Sequence, residues 1–183
     1  MPQAVTHILI PILLVSIFRD FFLSKKQRKS FPLHYVLIAG IGGVLPDIDI
    51  PISMFFQLLG DSSFDIHRTF THSLFFPLIF LVFFLTTKPI NAKAKICNIG
   101  RHNLKISTIF LMLAIGTLIH ILLDASLGDQ SFLFYPFLQP EFGINLIAWL
   151  PFNTGLITAM LDGILLVIWL LYLELKHKIS DFI

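Results

Sequence analysis

The sequence has few charged residues and almost no cysteine. Only 13% of its 183 residues are charged, about half of the roughly 25% that is typical of soluble domains. Cys97 is the single cysteine, which excludes an intramolecular disulfide and a cysteine metal cage. The chain has no linker rich in Pro, Gly or Ser and no internal repeat, so we expect one integral domain, residues 1–183. It also lacks a Gly-x-Ser-x-Gly motif, which argues against a serine nucleophile.

What the chain has instead is long apolar runs. Hydrophobic residues make up 56% of it and the mean hydropathy is +0.84, which indicates an integral membrane protein. The N-terminal run lacks the basic region and cleavage site of a signal peptide, so we expect a retained helix. The segment 131–153 is apolar but interrupted by proline, and we predict that it is interfacial or re-entrant. The predicted fold is an all-α polytopic bundle with about five transmembrane helices, at 4–23, 33–59, 72–88, 106–127 and 155–175.

The second of these spans is expected to be kinked or partly unwound. Three glycines and two prolines interrupt it between Gly40 and Pro51, and prolines break the hydrogen-bonding pattern of a helix. Broken backbone at membrane depth is tolerated where it is buried in protein or lines a wet cavity.

Basic residues orient the predicted bundle. With five spans, twelve of the thirteen fall on one side, in the ranges 19–29, 88–105 and 176–178. The positive-inside rule places that side in the cytoplasm, with the N-terminus outside and the C-terminus inside. The net charge of +2 is therefore an orientation signal, and no basic face suits nucleic acid.

Seven histidines and aspartates interrupt the apolar runs, and this topology places all of them in the outer half of the membrane. An ionisable residue at the centre of a membrane helix costs about 2.5–3.5 kcal/mol on insertion scales. A bound cation is the simplest group that offsets such a cost. The seven candidate metal ligands are His7, Asp47, Asp49, His67, His72, His120 and Asp124.

The spacing of these residues suits a metal site. His120 and Asp124 are four residues apart and share one helix face. Asp47 and Asp49 would diverge on a helix, but both can turn inward in an unwound stretch. Nitrogen and carboxylate ligands suit zinc, and also manganese or iron. Seven ligands are too many for one four-coordinate ion, so we predict two ions that share a carboxylate.

Two further charged residues have two interpretations each. Arg68 is the only basic residue on the predicted outer side; it either clamps a phosphate oxygen or pairs with Asp61 or Asp65. Asp162 lies in the fifth span, where it either orients a ligand histidine or forms a hydrogen bond between helices.

Five short motifs carry a resemblance to a known family. They are Thr6-His7, Gly43-x-x-Pro46-Asp47-x-Asp49, His67-Arg68-x-x-Thr71-His72-Ser73, Gly116-x-x-x-His120-x-x-x-Asp124 and Tyr135-Pro136-Phe137. As an ordered set, from about residue 6 to 137, they resemble the YdjM-like, LexA-regulated inner-membrane proteins. These are described as membrane-bound, metal-dependent hydrolases, so the resemblance implies metal-dependent hydrolysis. The ligand order is also similar to that of the zinc-dependent phospholipase C enzymes. Their further His-x-x-x-Glu pair has no equivalent after Asp124, so three metals are not expected.

The expected function is metal-dependent hydrolysis of a phosphoester in a membrane lipid or lipid-linked molecule at the outer leaflet. A metal-activated water would attack, Asp47 or Asp49 would act as the general base, and Arg68 would steady the phosphate. The first alternative is a divalent-cation or proton transporter, although mainly Thr108, Ser16 and His34 offer polar groups below the site, which is a poor path. The second is a non-catalytic scaffold with a structural metal. The expected partners are the bilayer and a lipid substrate.

Overall fold

The structure is a bundle of apolar helices. The computed structural model describes residues 4–60, 69–90, 93–94, 104–128, 132–138 and 140–178. About 77% of these residues are helical and very few are in strands, which confirms the predicted all-α membrane bundle. Within them, a short antiparallel ribbon pairs Lys93–Ala94 with Leu104–Lys105. The α-helices are α1 (Ala4–Ile17), α2 (Lys25–Ser30), α3 (Leu33–Gly42), α4 (Asp49–Leu58), α5 (Phe75–Thr87), α6 (Ile106–Leu127) and α7 (Thr154–His177).

The described residues contain fewer membrane-length helices than predicted. Three are long and apolar enough to cross a membrane: Ala4–Phe22, which is α1 with the π-helical turn that continues it, α6 and α7. α3 and α4 add a fourth if the bent pair counts as one span. The prediction of five spans is too high because α5 has only 13 residues. At 1.5 Å per residue α5 is roughly 20 Å long, which is shorter than the roughly 30 Å hydrocarbon core.

The predicted break in the second span is confirmed. The helix axis bends by 52° between Leu33–Gly42 and Leu45–Leu58. The second part begins with a 3-10 turn, Leu45–Ile48, that precedes α4. Pro46 lies inside this turn and Pro51 lies in the first turn of α4. Neither has an N–H group to donate to a preceding carbonyl. The chain therefore changes direction where the two aspartates occur.

α6 is the central helix and packs against α5, α3 and α1. Glycine permits its closest approach to α3: a Cβ on Gly116 would lie 2.7 Å from Gly43 N and 2.8 Å from Gly42 C. The two backbones therefore touch directly. One hydrophobic core lies among these helices, formed by Ile12, Val15, Tyr35, Val36, Ala39, Leu104 and Met112.

α7 forms hydrogen bonds with the start of α1 and with the π-helical turn that follows α1. The Thr6 backbone N–H donates to Asp162 Oδ1 at 2.9 Å, and the Thr6 hydroxyl donates to the same oxygen. At the opposite end, the Tyr172 hydroxyl donates to Asp20 Oδ2 at 2.6 Å. Arg19 pairs with the other oxygen of Asp20, also at 2.6 Å. Most other side chains of α7 are exposed, as expected for a helix that faces lipid.

The described part of segment 131–153 contains no spanning helix. Turns occupy 133–137, and a 3-10 turn covers Leu146–Trp149. The Leu74 N–H donates to the Leu133 carbonyl at 2.9 Å, which holds this segment against the start of α5. It is non-spanning, as predicted; its interfacial position stays a prediction.

Candidate metal centre

Five of the seven predicted ligands meet at one end of the bundle. His7 comes from α1, Asp47 from the 3-10 turn before α4, His72 from a 3-10 turn before α5, and His120 with Asp124 from α6. The three histidines and Asp124 are at most 4% exposed, whereas the Asp47 side chain is 22% exposed. Residues far apart in the sequence therefore converge in a buried cluster with one accessible carboxylate.

Carboxylate oxygens of Asp47 and Asp124 both lie at ligand spacing from the two histidines His72 and His120. His72 Nε2 lies 3.2 Å from His120 Nε2 and 3.3 Å from Asp47 Oδ1. Asp124 Oδ2 lies 3.4 Å from His120 Nε2 and 3.6 Å from His72 Nε2. His120 Nε2 is 3.6 Å from Asp47 Oδ1. Ligands about 2.0–2.1 Å from a tetrahedral zinc lie roughly 3.3–3.4 Å from one another, so the donor set fits a metal ion.

His7 extends the cluster on the side of α1. Its Nε2 lies 3.4 Å from Asp124 Oδ1, and its ring stacks on His120 with centroids 4.0 Å apart. His7 Nδ1 and Asp124 Oδ1 are buried without a hydrogen-bond partner, a state that normally costs about 1–3 kcal/mol per group. Two overlapping metal-binding groups result: His7, His120 and Asp124, and Asp47, His72 and His120.

A backbone carbonyl sets the orientation of His120. His120 Nδ1 lies 2.7 Å from the Gly43 carbonyl oxygen, which can only accept, so Nδ1 carries the proton. Nε2 then presents its lone pair to the cluster, as a metal-ligating histidine requires. The bond depends on the close approach of α3 and α6, because Gly43 follows directly after α3.

Asp49 orients His72. Asp49 Oδ2 lies 3.2 Å from His72 Nδ1 and accepts a 2.6 Å hydrogen bond from the Thr71 hydroxyl. Asp49 is fully buried and belongs to neither metal-binding group. We predicted Asp49 as a metal ligand; the structure gives it the supporting position of a carboxylate–histidine–metal arrangement.

The remaining predicted residues are not part of the described cluster. His67 and Arg68, with Asp61 and Asp65, lie outside the described residues. Asp162 bonds to Thr6, which is the hydrogen bond between helices that we considered as its alternative role. Sequence reasoning missed the Gly43 carbonyl, since a backbone acceptor leaves no signal in residue type. The contact of Thr71 with Asp49 had one signal in the sequence, which is the position of Thr71 next to His72.

Comparison with known proteins identifies the family. Neither the curated proteins nor the solved structures compared with this chain gave a match. The model of the YdjM inner membrane protein family matches residues 1–179, which is nearly the whole sequence. The buried histidines and aspartates that could hold a metal ion all lie within this match. The chain therefore belongs to the YdjM inner membrane protein family and, with its apolar helices, is a membrane protein.

Proposed function

We propose that this protein is a metal-dependent hydrolase that cleaves a phosphoester of a membrane lipid or lipid-linked molecule. One observation carries the proposal. Carboxylate oxygens of Asp47 and Asp124 and the Nε2 atoms of His72 and His120 form five contacts of 3.2–3.6 Å within a bundle of apolar helices. A site at membrane depth favours a substrate that is itself in the membrane, because a water-soluble molecule would have to leave water to reach it.

We assign His72, His120 and Asp124 as the residues that would hold a divalent transition ion, with zinc as the first candidate. Two histidines and one carboxylate are the ligand set of several catalytic zinc sites. When bound, the ion supplies positive charge for phosphate oxygens and lowers the pKa of water toward 7. Asp124 presents one oxygen to His7 and the other to His120, so it is the residue that would bridge two ions.

Asp47 is the general base in this proposal. Our sequence interpretation left Asp47 and Asp49 as candidates, and the geometry favours the first. Asp49 is fully buried and bonded to Thr71 and His72, so it acts as a positioning residue. Asp47 is the most exposed carboxylate of the cluster and can accept a proton from an attacking water. Arg68 keeps its proposed role as a phosphate clamp.

The transporter alternative is less well supported by the packing. His7, Asp47 and His120 lie at one end of α1, α3 and α6, and the apolar core follows along the same helices toward the other end. Ile12 and Val15 continue α1 beyond His7. A proton or cation path needs polar groups at these positions. The structural-metal alternative has no such conflict, so the experiment must separate it from catalysis.

Two substitutions at the metal centre distinguish catalysis from a structural metal. Asp124→Asn removes a charged ligand and should abolish metal binding. Asp47→Asn should keep the metal, because three other donors remain, yet lose about 10²–10⁴-fold in rate, the usual contribution of a general base. Metal is measured by elemental analysis of desalted protein. Turnover is measured on phospholipids and lipid-linked phosphates in liposomes with zinc or manganese.

Asp20→Asn is the matched control, because Asp20 is a buried carboxylate at the opposite end of the bundle, bonded to Arg19 and Tyr172. It should change neither the metal content nor the rate per folded molecule. Absence of metal-dependent turnover with every lipid phosphate would contradict the hydrolase function. If Asp47→Asn leaves the rate unchanged and the loss of metal in Asp124→Asn mainly lowers thermal stability, the metal is structural, because its binding free energy is then folding free energy.

A further inference from the structure

An apolar groove runs along the bundle from the metal centre. It has a volume of about 820 Å³ and lies between α1 and the bent segment formed by α3, the 3-10 turn and α4. Ile8 and Ile12 line one wall, one helical turn apart on the same face of α1. Leu37 and Ile41 begin the other wall, and both are more than half exposed. The groove is therefore open along its length.

Asp47 is the only charged side chain that lines the groove within the described part of the chain. The same carboxylate lies 3.3 Å from His72 Nε2 and 3.6 Å from His120 Nε2. The groove is thus continuous with the metal centre, and its contact with the centre is the accessible carboxylate. From Leu37 to Asp47 the wall covers eleven residues, of which the first six belong to α3.

We propose that this groove holds an acyl chain of the lipid substrate, with the headgroup at Asp47. The inference rests on the proposed function and names the part of the substrate that this chain recognises. An elongated apolar channel that ends at one polar group matches an amphiphile with a single polar end. The lining residues lie on apolar helices of a membrane protein, where acyl chains are the surrounding solvent.

The role of the groove is placement of the substrate. Moving an acyl chain from the bilayer into an apolar groove gives no hydrophobic gain, since lipid tails are as apolar as leucine. Fit against Ile8, Ile12 and Ile41 instead fixes where the chain begins and therefore where the phosphoester lies relative to Asp47. Gly40 lines the same groove, and a Cβ there would lie 2.8 Å from the Ile12 side chain, so its lack of a side chain lets Ile12 pack closely against α3.

Tryptophan substitutions test the placement. Ile41→Trp fills the groove near the metal centre, and Leu37→Trp fills it one turn farther away. Ile41→Trp should lower kcat/KM for a long-chain lipid by about 10–100-fold, because misplacing a substrate by about 1 Å can cost 10²-fold. It should leave a short-chain, water-soluble analogue with the same headgroup unchanged. Leu37→Trp should tolerate longer chains than Ile41→Trp does. Leu85→Trp on α5, which replaces a side chain that is also more than half exposed, is the control.

Lipid labelling gives a readout that does not require turnover. A lipid with a photoreactive group on its acyl chain should label Ile8 and Ile41 more strongly than Leu85, and Ile41→Trp should abolish the excess. Equal labelling of all lipid-facing helices, cross-links to a second copy of the chain, or an equal rate loss on long-chain and short-chain substrates would each overturn the proposal. Absence of any turnover would reject the proposed hydrolase function, and a lipid in the groove would then not be a substrate. Excess labelling would then still identify a lipid site in the groove.

Discussion

Adding one methyl group to Gly116 should dismantle the metal centre from a distance. Gly116 lies on α6 one turn before His120 and contributes no ligand. An alanine Cβ there would lie 2.7 Å from Gly43 N, whereas ordinary contact begins at 3.4 Å, a shortfall of about 0.7 Å. The Ala39 carbonyl oxygen is closer still. These neighbours are backbone atoms, so α3 and α6 must separate to accommodate the methyl group.

That separation acts directly on the donor atoms. α6 carries His120 and Asp124, while Gly43 and Asp47 lie on the other side of the contact. A shift of at least about 0.7 Å would stretch the 2.7 Å bond between His120 and the Gly43 carbonyl toward the limit for a hydrogen bond. It also exceeds the roughly ±0.2 Å within which metal ligands must lie. Loss of such orienting contacts typically costs 10–100-fold in metal affinity, so we expect a loss of about 100-fold.

Gly163→Ala on α7 is the matched control. A Cβ at Gly163 meets no atom within 4 Å, so alanine there should keep the metal and raise stability by up to about 1 kcal/mol through helix propensity. Gly116→Ala should instead lose about 1–3 kcal/mol, as overpacked sites do. Metal titration and denaturant unfolding in detergent measure both quantities. If Gly116→Ala binds metal as tightly as Gly163→Ala, the backbone contact does not set the ligand geometry and this reasoning is refuted.

Two further predictions concern the helices around the centre. Thr6→Val removes the hydroxyl hydrogen bond from Thr6 to Asp162 and keeps the backbone N–H bond, so it should cost about 1–3 kcal/mol with metal stoichiometry unchanged; loss of metal would show that Asp162 acts on His7. For the topology, the predicted orientation requires α5 to cross the membrane although it has only 13 residues. A Lys93→Cys thiol in a Cys97→Ser background should then react only from the cytoplasmic side and Leu59→Cys only from outside. Reaction of both from the same side would show that α5 does not cross, and the reverse pattern would move the metal centre to the inner leaflet.

The positions of the helices and of the break could be predicted from sequence, because both follow from local composition. Apolar runs define α1, α6 and α7, and the glycines and prolines between Gly40 and Pro51 define the bend. The number of spans could not be predicted so well. Hydropathy treats residues 72–74 as part of an apolar run, but His72 ends a 3-10 turn and Ser73 is extended, so α5 begins only at Phe75. The residues that present His72 to the cluster are thus unavailable to lengthen the helix.

For the centre itself, local spacing predicted one pair and tertiary contacts decided the rest. His120 and Asp124 share a helix face, and their side chains lie 3.4 Å apart. The division of labour between Asp47 and Asp49 depends on where His72 lies, 23 residues beyond Asp49 in the chain. Nothing in the pattern Pro-Asp-Ile-Asp specifies which carboxylate contacts Nε2 of that ring and which contacts Nδ1.

The break in the second span explains why one short segment supplies three different groups to the centre. In a regular helix, the Gly43 carbonyl would accept the N–H of residue 47, but that N–H donates to Val44 O in the 3-10 turn. The Gly43 carbonyl is therefore available to His120 Nδ1. A free carbonyl at membrane depth is costly unless protein satisfies it, and the histidine does so. The same irregular backbone that would weaken a spanning helix thus fixes the tautomer of a ligand and brings Asp47 and Asp49 to opposite nitrogens of His72.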